Sequence, residues 1–364
     1  MPSYQRIARK IVRICARVGE GEAVFIVGRQ DNLPFCELIA LECSKVGASP
    51  IVSVESDRYI YRLLSETPIE FLTKTAKHML ALIRNCDVII TVAMERKNPA
   101  ALSDLPEERL TAYRIGRKPW IDVVYDGQRR WVGTDFPTKE QAAAYGLDFR
   151  VLHDVYWRAM AVDHEALTQR ASKVAQTLRK AGKVHVTSAK GTDVAVDFQG
   201  RMIHIDDGVI DEADVAAGRP FANLPAGEVC VAPLEDRTDG RVIFDLAFYR
   251  GNKIEDLEVE FTAGTIRPVK ATRGLEIFDQ VLESSQGDKD KIGELGIGLN
   301  PEIEEVIGFA LLDEKVMGTA HLAIGDNRFI GGVNDSDLHW DLVIHSPTIV
   351  AGKTLLMENG HLCI

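Results

Sequence analysis

The first third of the chain alternates between helical and strand-like apolar patterns. Ile7, Ile11, Ile14 and Val18 recur at helical spacing and predict an amphipathic first helix, whereas AVFIVG (23–28) is the unbroken apolar run of a buried strand. LPFCELIALECSKVG (33–47) reads as a helix, PIVSV (50–54) as a strand, FLTKTAKHMLALIRN (71–85) as a helix and CDVIITVA (86–93) as a third strand. This alternation predicts a parallel sheet with helices packed on it. Residues 151–181 continue as one long helical pattern ending in KAGK, where Gly182 would supply the left-handed C-cap.

After Gly182 the period drops to two. VHVTSAKGTDVAVDFQGRMIHI alternates and carries turn pairs at Lys190-Gly191 and Gln199-Gly200; DLEVEFTAGTIRPVKAT reads as a hairpin about Ala263-Gly264, and the chain closes with an Asn359-Gly360 hairpin. One helix is predicted near 272–287. The fold class is therefore α/β: an N-terminal parallel-sheet βαβ domain over 1–184, and a mainly β, α+β domain over 185–364. Two domains also suit a chain of 364 residues.

Composition narrows the partners. Net charge is −11, which argues against binding a phosphate backbone. No apolar run reaches the roughly 20 residues needed to span a bilayer, and the N-terminus lacks the uninterrupted apolar core of a signal peptide. The six cysteines are scattered without a CxxC pair, as in a reducing compartment, so a cytoplasmic protein with neither nucleic-acid nor membrane partners is expected. The turn VGRQDNLP after the first strand matches neither the dinucleotide fingerprint nor the P-loop, and no GxSxG or HExxH occurs.

The candidate chemistry gathers in the second half. In LHWDLVIHS (338–346) the alternation of a strand puts His339, Asp341, Val343 and His345 on one face. A buried histidine and carboxylate need compensation, either from a mutual hydrogen bond or from a metal ion. Glu294 is the one carboxylate in the glycine-rich run KIGELGIGLNP, whose glycines at 293, 296 and 298 admit close backbone approach. Glu228 in NLPAGEVCVAP reads alone as a solvent-facing glutamate, Glu314 beside Lys315 as a surface ion pair, and His321 as a satisfied core histidine. Taken together, two histidines and three or more carboxylates without thiolates suit Zn, Mn, Co or Fe(II), bound as one ion or two.

NLPAGEV, IGELGIGLNP, DEK with GTAHLAIG, and DSDLHWDLVI, in this order, resemble the M29 family of metallo-aminopeptidases, as do WVGTDFPTKEQAAAYGL (131–147) and the helix that follows through Ala161-Val162-Asp163. The resemblance implies two catalytic divalent ions (Zn, Co or Mn), peptide substrates and a homodimer. It carries the metal-ligand roles to Glu228, Glu294, His321, His339 and Asp341, with Glu314 as the remaining glutamate before the first histidine. Glu294 is also the candidate to take the proton of the attacking water. Family members place a tyrosine a few residues after the first histidine; GDNRFIGG has none, and Arg328 is the candidate to stabilise the oxyanion instead.

Two rival readings remain. His321, His339 and Asp341 could form the facial triad of a mononuclear Fe(II) ring-cleaving dioxygenase of the related 2,5-dihydroxypyridine branch. Members of that branch lack a glutamate in the first motif and carry histidine in place of the second, whereas this chain keeps Glu228 and Glu294. The other rival is a non-catalytic descendant that binds metal or ligand without turnover.

Overall fold

The computed structural model describes residues 3–93, 102, 105–249 and 251–364. The chain packs as two compact units, one formed by residues 1–144 and 208–224, the other by 145–207 and 225–364.

The first unit is built on a five-stranded parallel sheet of β1 (Ala23–Arg29), β2 (Ser49–Glu55), β3 (Val88–Val92), β4 (Arg130–Thr134) and β8 (Phe221–Leu224), in the order β2-β1-β3-β4-β8. Phe25 and Ile89 on adjacent strands pack with Ile83 of the helix Lys77–Arg84, Cys86 just after it, and Trp120 of the helix Glu107–Val124.

The structure departs from the helical periodicity at three places, two in the first unit and one in the second. The first helix widens into a π-turn over Ile11–Cys15, closed by the Ala16 N–H to the Ile11 carbonyl. The extra residue rotates the predicted core position Ile14 into solvent and buries Cys15 and Ala16 instead. The predicted helix 71–85 is two pieces, Ile69–Leu72 and Lys77–Arg84. Gly116 of the helix Glu107–Val124 lies against the break; a Cβ there would sit 2.2 Å from the Leu72 carbonyl oxygen. The predicted helix 151–181 is also two, Phe149–Ala159 and His164–Ala181, because the Asp163 carboxylate caps the second by accepting from the Glu165 and Ala166 N–H groups. Gly182 ends it at φ +68°, as expected of a left-handed cap.

The second unit holds a 13-stranded sheet. Its strands are β5 (Lys183–Thr187), β6 (Asp193–Asp197), β7 (His204–Asp206), β9 (Glu228–Val231), β10 (Thr238–Tyr249), β11 (Asn252–Thr262), β12 (Thr265–Lys270), β13 (Ile292–Gly298), β14 (Thr319–Gly325), β15 (His339–His345), β16 (Thr348–Ala351), β17 (Thr354–Glu358) and β18 (His361–Leu362). The main path runs β18-β17-β16-β5-β6-β10-β15-β14-β13-β9-β7, with β11 and β12 added to β10 as a hairpin. Ala263 and Gly264, and Asn359 and Gly360, take positive φ at the two predicted hairpins.

β9, β13, β14 and β15 lie side by side and antiparallel. One face of this group is apolar: Leu295, Leu322 and Leu342 align in one row, and Ile297, Ala320 and Ile344 in the next, all buried. The other face carries the polar residues.

Candidate metal centre

Register decides which side chains meet. Glu294 pairs with Ala323, which pairs with Asp341, so two carboxylates flank a methyl group on one face. In the next row His321 pairs with Gly296, and Glu228 pairs with Gly298 beyond it. Gly325 pairs with His339. A small residue therefore stands beside each bulky ligand candidate. The space is used: a Cβ on Gly296 would lie 2.0 Å from His321 Nε2, and one on Gly298 would lie 2.1 Å from the Val316 carbonyl oxygen. A bulge between Ile292 and Glu294 sets the phase that brings Glu294 onto this face.

The side chains form two groups, Glu228, Glu294 and His321 in one, and Glu294, His339 and Asp341 in the other, each with one ligand atom per residue within 4.8 Å of the rest. Glu294 belongs to both and divides its oxygens: Oε1 lies 3.5 Å from His321 Nε2, and Oε2 lies 3.6 Å from His339 Nε2. Glu228 Oε2 is 3.6 Å from His321 Nε2, and Asp341 Oδ1 is 3.5 Å from His339 Nε2. These separations are too long for good hydrogen bonds, as expected of groups arranged around cations.

Burial sharpens the point. His321 is fully buried, and neither of its ring nitrogens, nor Glu228 Oε2, makes a hydrogen bond among the described residues. Orphaned polar atoms of this kind cost free energy unless another partner is supplied. His339 is already oriented: its Nδ1 lies 2.8 Å from the Asp326 carbonyl oxygen, which fixes the tautomer that aims the Nε2 lone pair at the carboxylates. The ring edge of Phe329 packs against it at 4.9 Å between centroids. The donor set of nitrogen and carboxylate oxygen fits divalent ions.

The charges agree with the geometry. Burial pushes the Glu228 carboxyl up to about 8, against the pull of Lys315. Burial would depress both imidazoles, but for His321 the contact with Glu294 and the charges of Asp341 and Glu228 outweigh it, raising it to about 9. For His339, Asp341 and Glu294 do the same, to about 10. Asp341, despite burial, is held well below the carboxylate range by His339. Carboxylates that draw protons onto both histidines will draw cations by the same field.

Five of the expected ligands thus come together. Glu314 is in neither group; its Oε1 lies 2.6 Å from Lys315 Nζ. Arg328 is half exposed on a short 3₁₀ turn (Arg328–Ile330), with its guanidinium paired to Asp326 and, at 2.9 Å, to Asp335. Glu228, which alone reads as a surface residue, is buried between β7 and β13. Lys315, fully buried among Glu228, Glu314 and Asp206, was not among the expected site residues, nor was Asp206.

A family model for thermophilic metalloprotease (M29) matches residues 2–361. Aminopeptidase AmpS of Bacillus subtilis (strain 168) is 25% identical, over 93% of this chain and 91% of its own. Among solved structures, wild-type AmpT from Thermus thermophilus superposes with a TM-score of 0.75 at 21% identity, covering 99% of both chains. A 2,5-dihydroxypyridine dioxygenase from Pseudomonas putida KT2440 has a TM-score of 0.68 at 15% identity, covering 99% of this chain and 96% of that one.

Proposed function

The chain belongs to the M29 family of thermophilic metalloproteases and is a metallopeptidase, and on that footing we propose that it is an aminopeptidase working at a centre of two divalent ions. The observation that carries the two-ion reading is the division of Glu294 between two ligand groups, one oxygen to each. Glu228, Glu294 and His321 would hold one ion, and Glu294, His339 and Asp341 the other. Such ions supply Lewis-acid polarisation of a peptide carbonyl and activation of water at neutral pH.

The protein's own groups do the rest. Glu294, common to both groups, would supply an oxygen to each ion or, with an oxygen free of metal, would take the proton of an attacking water. His339 is the partly exposed member of the cluster, so the centre opens on its side, next to Asp341. A free N-terminal ammonium is the part of a peptide that suits an opening lined by carboxylates. Arg328 is committed to Asp326 and Asp335, and in this reading it orders the loop rather than stabilising an oxyanion. Asp341 Oδ1 lies 3.5 Å from His339 Nε2 and 3.9 Å from His321 Nε2, but both ligand groups among the described residues include Glu294, which favours two ions over a mononuclear triad of His321, His339 and Asp341. The five buried free thiols accord with a reducing, cytoplasmic setting.

The test is elemental analysis of protein purified without chelator, together with assays on short peptides and their N-acetylated copies. Two ions per chain, both diminished in Glu294→Gln, and stepwise release of single residues from free N-termini are expected. A single iron per chain with oxygen uptake, or equal cleavage of N-acetylated peptides, would overturn the proposal.

A further inference from the structure

Lys315 has no exposed side-chain surface, yet it bears a charge. Its Nζ lies 2.6 Å from Glu314 Oε1, 2.9 Å from Glu228 Oε1 and 3.4 Å from Asp206 Oδ2. Three carboxylates thus surround one buried ammonium beside the centre, and one of them, Glu228, is shared with it.

The backbone is arranged to put the lysine there. Glu294, Gly296 and Gly298 alternate onto one face of β13. Gly296 makes room for the His321 ring, and Gly298 makes room for the chain at Lys315–Val316. The Lys315 carbonyl accepts from the Asn300 N–H at 2.9 Å, and its own N–H donates to the Leu312 carbonyl at 3.1 Å, so the residue is pinned at both ends. On the other side of Glu228, Asp206 is its cross-strand partner on β7.

We propose that Lys315 is a built-in third cation of the centre, a positioning residue that binds Glu314 and Asp206 to itself and turns Glu228 so that Oε1 meets the ammonium while Oε2 is left for an ion. Glu314 is then the lysine's partner and not a metal ligand. The inference rests on the two-ion reading above and adds a charge balance to it. Asp206, Glu228, Glu294, Glu314 and Asp341 bring five negative charges, which two divalent ions and one ammonium neutralise. Without the lysine the buried cluster would keep an unbalanced charge, and Glu314 would be released to compete for an ion.

The test uses the cobalt-loaded full chain, read by cobalt content and visible absorption, in wild type, Glu314→Gln, Lys315→Met and the double variant. Glu314→Gln is expected to keep two cobalt ions per chain with the wild-type spectrum. Lys315→Met is expected to shift the absorption bands as Glu314 enters the coordination sphere, and the double variant to bring them back toward wild type. Loss of an ion or a shifted spectrum in Glu314→Gln alone, or an unchanged spectrum in Lys315→Met, overturns the proposal. The first of these decides it even where Lys315→Met does not fold.

A metal-free measurement separates this from the two-ion reading. In chelator-stripped protein, Glu314→Gln is expected to lower the thermal midpoint in the wild-type background and to raise it, or leave it unchanged, in the Lys315→Met background. Equal effects in both backgrounds overturn the pairing. Wild-type protein that takes up fewer than two cobalt ions overturns the two-ion reading, and the metal-free comparison then judges Lys315 by itself.

Discussion

The imidazole of His321 occupies the space that any side chain at its cross-strand partner Gly296 would need, with Nε2 2.0 Å from the position of a Cβ. The glycine is therefore a condition for the histidine's place rather than a source of flexibility; φ at this position is not in the left-handed region. Gly296→Ala is expected to push the ring out of the Glu228–Glu294 group and weaken metal binding by about 10–100-fold, the range found when support of a ligand is lost. Titration with cobalt or zinc checks this, and unchanged affinity would show that the ring does not ligate.

The two groups should empty separately. Glu228→Gln is expected to release the ion held with His321 and spare the other, Asp341→Asn to release the ion held with His339, and Glu294→Gln to weaken both. Elemental analysis of the three variants after dialysis gives the pattern. Identical losses from all three would mean a single ion.

Metal-free protein should lose stability as pH rises. Glu228 titrates near 8 in the fold against an ordinary 4.5, and His321 near 9 against 6.5. Both folded values are raised, so the folded chain binds more protons, and the stabilisation present below the ordinary values is lost as pH climbs through 8 to 9. The thermal midpoint of chelator-treated protein is expected to fall between pH 6 and 9.5, and the fall to be much smaller after divalent ions are added, because they replace the protons. A midpoint that rises over this range without metal would contradict the assignment of the buried cluster.

A stability change at a residue outside both ligand groups serves as a control. Asp163→Ala removes the side-chain acceptor for the N–H groups of Glu165 and Ala166 at the start of the helix His164–Ala181, and should cost about 1 kcal/mol. Urea unfolding measures it, and metal content is expected to stay at the wild-type level.

Residues with short-range signatures were legible in the sequence. The hairpins at Ala263-Gly264 and Asn359-Gly360, the cap at Gly182, and the shared face of His339 and Asp341 all follow from local periodicity and turn chemistry. The clustering of glycines around Glu294 correctly marked close approach, but only the register with β14 and the 315–316 backbone shows what approaches. His321 and Glu228 looked ordinary because each is surrounded in sequence by residues that say nothing of their cross-strand neighbours. Lys315 was illegible for the same reason: Glu314-Lys315 has the pattern of a solvated ion pair, and its complete burial depends on the long-range contact made possible by Gly298. The helix Asp57–Glu66 was also legible in principle, since Ile60, Leu63 and Leu64 recur at helical spacing behind the Ser56 cap, and it was passed over although its signal is local.

The parallel pairing of β4 with β8 bears on biogenesis. A ribosome that has delivered residues 1–144 has supplied four of the five strands of the first sheet, and the edge of β4 that takes Phe221–Leu224 has its partner only some eighty residues later. Order of synthesis is thus not order of completion. A fragment ending near residue 184 would carry an unsealed strand edge, the kind of surface that recruits other chains, and bisecting this chain into an autonomous front half and back half would require moving β8 as well as choosing a cut.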